Sequence, residues 1–274
     1  MSVRNLAKKF LRVVAHYDPT YYDMYADGNE SFFAQLYVTA IADHAARRGI
    51  RPPSAVLEAG CQTGRLVIPF AQMGFSVTGI DTSGFALYRA RRHAAAAGVS
   101  PRFLRGNLLT LLRSRRGQYD LVICAEVLYQ SSQYREMLQV LAEAVRPGGL
   151  LCVSHRPTTY YFLEALRKED ASSAMSVIGR GEGVWRDGSY YNWQSEEELR
   201  ALYASLGLEW IAMRPIDRLS WLTGISPSQL TPAQRGRWLE AELQIADAGG
   251  ACARYVLVVA GKPAAAPAPA EVMA

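Results

Sequence analysis

Twelve consecutive residues constrain the fold of this chain more than any others: Ala55-Val56-Leu57-Glu58-Ala59-Gly60-Cys61-Gln62-Thr63-Gly64-Arg65-Leu66. A short apolar run ends in a carboxylate, passes through a turn with glycines at 60 and 64, and enters a helix. Glycine lets a backbone come close to a ligand, and the first turn of the following helix points free N–H groups at it. A strand, a glycine turn and a helix in that order form a nucleotide-type binding site at the tip of a parallel strand. The spacing is not that of the dinucleotide fingerprint G-x-G-x-x-G.

The rest of the chain supplies matching parts in order. Phe75 to Asp81 reads as a second strand ending in a carboxylate about 20 residues after the turn, where a ribose diol is held, with Thr82 next to it. Pro101 to Arg105 reads as a third strand, followed by Gly106-Asn107-Leu108. Tyr119 to Leu128 holds a fourth strand and its loop, with Glu126 in the loop, and Leu141 to Val153, containing Arg146-Pro147-Gly148-Gly149, holds a helix, a turn and a fifth strand. Helices expected near 63–72, 84–97 and 133–145 alternate with these strands, the pattern of an α/β parallel sheet with right-handed crossovers. Leu208 to Pro215 and Ala253 to Ala260 are two later extended runs, with a helix expected from Pro232 to Ala246 between them.

This ordered set resembles the class I S-adenosylmethionine-dependent methyltransferases, and across about residues 50–155 it is similar to their ubiquinone and menaquinone type. The resemblance implies a Rossmann-like seven-stranded, mostly parallel sheet with an antiparallel last strand, helices on both faces and an N-terminal helical lid. It implies S-adenosyl-L-methionine as cofactor, held by Glu58, Gly60, Gln62, Gly64, Asp81, Thr82, Asn107 and Leu108, with Tyr17 reaching in from the lid. The activity it implies is methyl transfer to an O, N or C nucleophile of a small molecule. Two positions depart from the family pattern. Gln62 replaces a glycine, so it either adopts a backbone conformation glutamine tolerates or meets the ligand itself, and Asn107 replaces an acidic residue but can still accept through its amide oxygen. Tyr129 and Gln130 stand where quinone-type relatives often carry a histidine, so that type's detailed chemistry is not carried over.

Outside the core pattern, residues 1–50 are read as the lid, 51–262 as the methyltransferase domain with cap insertions near 156–194 and 216–250, and 263–274 as a disordered Pro/Ala tail. Val3 to Tyr17 is amphipathic, and His16 to Tyr25 packs four tyrosines into ten positions. The 156–194 segment, rich in Tyr and Trp, reads as an aromatic pocket wall with a flexible Gly181-Glu182-Gly183 stretch; 216–250 reads as a cap or a homodimer contact. His155, at the carboxyl end of strand five, is the candidate general base, with Glu126 and Tyr25 as further catalytic candidates. The net charge of +5 comes from dispersed arginine pairs without a basic stripe, which argues against a nucleic-acid partner. The four cysteines show no C-x-x-C pairing, no ligand cluster suggests a metal, and no apolar run reaches the roughly 18 residues of a membrane span, so a cytoplasmic enzyme is expected. The competing readings are an RNA or protein methyltransferase, a nicotinamide-binding Rossmann oxidoreductase, and a cofactor-binding regulator.

Overall fold

The computed structural model describes residues 22–245 and 252–264. Tyr17, His16, the amphipathic run before them and the tail beyond residue 264 lie outside the described residues.

Nine strands are described: β1 (Ala55–Ala59), β2 (Ser76–Asp81), β3 (Arg102–Arg105), β4 (Tyr119–Cys124), β5 (Val145–His155), β6 (Glu182–Val184), β7 (Tyr190–Asn192), β8 (Glu209–Ile216) and β9 (Tyr255–Gly261). Seven of them form one sheet in the order β3-β2-β1-β4-β5-β9-β8. Neighbours from β3 to β5 run parallel, and β9 is inserted antiparallel between β5 and β8. The expected sheet is therefore present, including the reversed last strand. Strands β4 and β9 are buried along their whole length, which is why they read as nearly continuous apolar runs rather than alternating ones.

The helices are α1 (Gly28–Arg47), α2 (Val67–Gln72), α3 (Gly84–Ala96), α4 (Leu108–Leu112), α5 (Tyr134–Ala144), α6 (Thr158–Leu166), α7 (Ala171–Val177), α8 (Glu196–Ser205), α9 (Leu219–Thr223) and α10 (Pro232–Ile245). Strand alternation sorts the core into two layers. Val56, Leu121, Ile123, Leu150, Cys152, Leu257 and Val259 face a cluster containing Phe32, Leu36 and Ile41 of α1 and Phe70 of α2. Leu57, Val122, Cys124, Leu151, Val153, Val256 and Val258 face a cluster containing Leu138 and Leu141 of α5 and Leu199 and Tyr203 of α8. The N-terminal helix is thus a packed layer of the core. Asp27 starts it by accepting from the Asn29 and Glu30 amides, an N-cap worth about 1 kcal/mol.

Two expectations are corrected in detail. Glu182 and Gly183 are not a flexible stretch but pair with Asn192 and Tyr191 as β6 and β7. That hairpin packs with α6 and α7 around a small core of Tyr161, Val177 and Trp193, so the 156–194 insertion has its own apolar centre. Strand β5 also begins at Val145, ahead of the Pro147-Gly148-Gly149 turn signal.

Candidate functional site

The order of strands reverses at β1, whose neighbours are β2 and β4, and a crevice opens beyond the carboxyl ends at such a switch point. A cavity of about 470 Å³ lies there, within the range of small-molecule sites. Its walls include Glu58, Gly60, Gln62, Asp81, Thr82, Asn107, Leu108 and Glu126, so eight of the residues singled out in the sequence meet in one cleft.

The glycine turn is shaped by two positive-φ positions that need it. Gly60 has φ 81°, and a Cβ there would collide with the Val127 side chain; Gly64 has φ 93°, and a Cβ would press on Ile68. Gln62 has φ 45°, the left-handed region that glutamine tolerates at a cost of about 1 kcal/mol or more. Its side chain has a structural use. Gln62 Oε1 accepts from the Met24 amide at 3.3 Å, and Thr63 Oγ1 accepts from the Tyr25 amide at 3.0 Å, so the turn fastens the segment before α1 across the cleft mouth. Gly64 itself shapes the turn without lining the cavity.

Asp81 ties the two strand tips together. One carboxylate oxygen accepts from the Gln62 amide at 2.9 Å and the other from the Ser83 amide at 2.8 Å. Burial raises its pKa, and these N–H donors oppose that rise. Glu58 is 4% exposed, and its Oε2 has no hydrogen-bond partner among the described residues. Burial pushes its pKa up to about 8, with Arg65 opposing. A carboxyl kept largely neutral by burial, on the wall of a cleft and with one oxygen unpartnered, is suited to an incoming cation.

Sequence reading missed Arg65 and Glu30. Arg65 is 5% exposed and pairs with both Glu30 of α1 and Glu126, the latter at 2.9 Å. The guanidinium also lies 5.5 Å from the Tyr37 ring centroid. Glu126 sits at φ 61°, its amide donating to Ser154 Oγ at 2.6 Å, and this left-handed turn aims its carboxylate at Arg65. Arg65 stood in the glycine motif and could have been weighed; Glu30 lies 35 residues away and carries no local signal.

Three catalytic or binding assignments are not brought to the cleft in the expected way. His155 is fully buried, its Nε2 is 2.9 Å from the Tyr203 hydroxyl, and burial depresses its pKa to about 3. It faces the α8 side of the sheet and does not line the cavity, so the general-base assignment is corrected. Tyr25 stacks on His93 with ring centroids 4.7 Å apart, and its neighbour Met24 is the residue on the cleft wall. Asn107 does line the cavity, but its Oδ1 already caps α4 by accepting from the Leu109 amide at 2.8 Å.

Residues 56–149 match the methyltransferase domain family. Among curated proteins, the chain is 32% identical over 149 residues to a ubiquinone biosynthesis O-methyltransferase of Caulobacter vibrioides, covering 54% of this chain and 57% of that protein. It is 31% identical over 179 residues to the corresponding protein of Bordetella avium, covering 62% of this chain and 70% of that protein. Among solved structures, magnesium protoporphyrin IX methyltransferase from Synechocystis with bound SAH superposes with a TM-score of 0.60 at 19% identity, covering 94% of this chain and 99% of that one. That likeness concerns the fold. The chain belongs to the class I S-adenosylmethionine-dependent methyltransferases, of the type that includes the ubiquinone-biosynthesis O-methyltransferases, and its cofactor is S-adenosylmethionine.

Proposed function

We propose that this chain transfers a methyl group from S-adenosylmethionine to an oxygen of a small-molecule acceptor. The observation that carries the reading is the buried, unpartnered Glu58 Oε2 on the wall of a cleft that also presents Asp81 and the Gly60 turn. The relatives named above are O-methyltransferases, which favours oxygen as the acceptor atom.

The cleft fits the cofactor's parts. Asp81, whose oxygens each use one lone pair on the turn, keeps others for a ribose diol. Asn107 and Leu108 flank the place for the adenine, and the Asn107 oxygen can accept a second hydrogen bond there. Gly60, Gln62 and Gly64 set the shape of the turn, Thr82 lines the cleft next to Asp81, and Glu58 and Glu126 supply negative charge for an ammonium. When bound, S-adenosylmethionine supplies an electrophilic methyl on a sulfonium, open to in-line displacement. The chain's own task is to align the nucleophile at roughly 3 Å and exclude water. The segment held by Gln62 and Thr63 closes one side, and the 156–194 insertion, backed by Trp221 against Tyr160 and Glu164, serves as the acceptor-side cap.

Calorimetric titration with S-adenosylmethionine and S-adenosylhomocysteine, with NAD as control, tests the reading. Binding of the two sulfur compounds alone supports it, and binding of NAD alone would favour the oxidoreductase alternative. A cation arriving beside Glu58 should also expel its proton. Titrations at pH 7 in buffers of different ionisation enthalpy should show proton release in the wild type and none in Glu58→Gln.

A further inference from the structure

Strand β5 ends at His155, and the next residue, Arg156, turns to the opposite face, toward Tyr129 and Tyr255 rather than Tyr203. There its guanidinium carbon lies 4.3 Å from the Tyr129 ring centroid, 4.5 Å from that of Tyr160 and 4.8 Å from that of Tyr255. One terminal nitrogen donates to the Tyr255 hydroxyl at 2.7 Å. No carboxylate lies within ion-pair distance of it among the described residues, and its Nε is buried without an acceptor. The hydroxyl of the buried Tyr161 stands in the same surroundings and also lacks a hydrogen-bond partner of good geometry.

A largely buried guanidinium held by ring faces and one tyrosine hydroxyl is costly, because these contacts replace hydration and pairing only in part. The nearby carboxylates are engaged elsewhere. Glu164 accepts from Trp221 Nε1 at 2.8 Å and from Arg167 at 2.8 Å, and Asp187 accepts from the Tyr191 hydroxyl at 2.9 Å and the Ser189 amide at 2.9 Å. A cavity of about 150 Å³ opens against Arg156, walled by Tyr160, Tyr161, Trp185 and Tyr191, a size suited to one end of a ligand rather than a whole one. The cations Lys168 and Arg186 and the engaged carboxylates Glu164 and Asp187 complete its walls. Tyr129, under the guanidinium, lines the cofactor cleft and stacks on Tyr191 with rings 8° from parallel. Arg156 and Tyr191 line the small cavity while Tyr129, which both of them contact, lines the cofactor cleft, so these three side chains stand between the two.

Resting on the methyl-transfer reading above, we propose that Arg156 and its surrounding tyrosines bind the carboxylate of a planar aromatic acceptor. The open guanidinium edge receives the carboxylate by charge-assisted hydrogen bonds, Tyr161 donates a further one, and the ring lies among the aromatic side chains toward the cofactor cleft.

The test is a tryptophan-fluorescence titration of the full chain, in saturating S-adenosylhomocysteine, with 3,4-dihydroxybenzoate and with its neutral amide. The benzoate should bind at least tenfold more tightly than the amide. Arg156→Gln should bring the two within about twofold, and Arg156→Lys, which keeps the charge, should retain part of the preference. Equal binding of acid and amide by the wild type, binding of neither, or a preference that survives in a folded Arg156→Gln overturns the proposal. The wild-type comparison decides the matter even where the variants fail to fold. Calorimetry with S-adenosylhomocysteine on the same preparation separates the two readings: intact cofactor binding without an acid preference removes only the acceptor assignment, whereas absent cofactor binding removes the methyl-transfer reading beneath it.

Discussion

The glycine turn at 58–64 and the surroundings of Arg156 both lie at carboxyl ends of strands in one sheet, yet they are assembled differently. The turn is local: seven consecutive residues, joined to Asp81 by one short hydrogen bond, set its backbone shape. The Arg156 site draws Tyr129 from the loop after β4, Tyr160 and Tyr161 from α6, Tyr191 from β7 and Tyr255 from β9. Recognition of a constant cofactor can be built into one stretch of backbone, because the groups to be met are the same in every relative. Recognition of a particular acceptor is built from side chains on separate elements, each of which can change without disturbing the turn.

The contrast yields graded expectations. The largest effect should fall on the local site. Asp81→Ala removes an oxygen pair that holds the Gln62 and Ser83 amides, and it should weaken S-adenosylmethionine binding at least tenfold, about 1.5–3 kcal/mol, by calorimetry. Asp81→Asn, which keeps one acceptor oxygen, should fall between. Unchanged affinity in Asp81→Ala would break the assignment of the cofactor end to this turn.

A middle-sized effect is expected at His155, the residue one position from Arg156. His155→Leu should cost about 1–3 kcal/mol of stability at pH 7, since the buried Tyr203 hydroxyl loses its partner, while turnover stays within about threefold. The sign with pH follows from the depressed pKa of about 3. Below the ordinary histidine value near 6.5 the unfolded chain takes up a proton that the folded chain refuses, so wild-type stability falls by about 1.4 kcal/mol per pH unit from there toward 3. The leucine variant lacks this slope, and denaturant midpoints should converge with the wild type between pH 7 and 5. A large loss of turnover with unchanged stability would restore His155 to the chemistry.

The smallest effect belongs to Gln62→Gly. Glycine relieves the left-handed backbone at φ 45° but gives up the bond to the Met24 amide, so stability and cofactor affinity should each move by only a few tenths of a kcal/mol. Increased protease cleavage near residues 22–26 would show what the side chain holds. A tenfold loss of affinity would instead make Gln62 a direct ligand.

Much of this molecule was determined by its sequence alone, and for a physical reason. Parallel strands buried on both faces must be apolar runs, glycine must occupy turns with positive φ, and both requirements act on neighbouring residues, so β1, β2, β4 and the cleft residues from Glu58 to Asp81 could be read directly. The tertiary structure decided what depends on facing. A strand reverses its side at every residue, so the end of β5 could be located from sequence while the choice between His155 and Arg156 could not. Packing against α8 takes the histidine into the core; the tyrosines gathered from four other segments leave the arginine at the cavity. Glu30 reaches Arg65 for the same kind of reason, because α1 folds back over the sheet and brings a distant carboxylate to a buried cation that would be costly to leave unpaired.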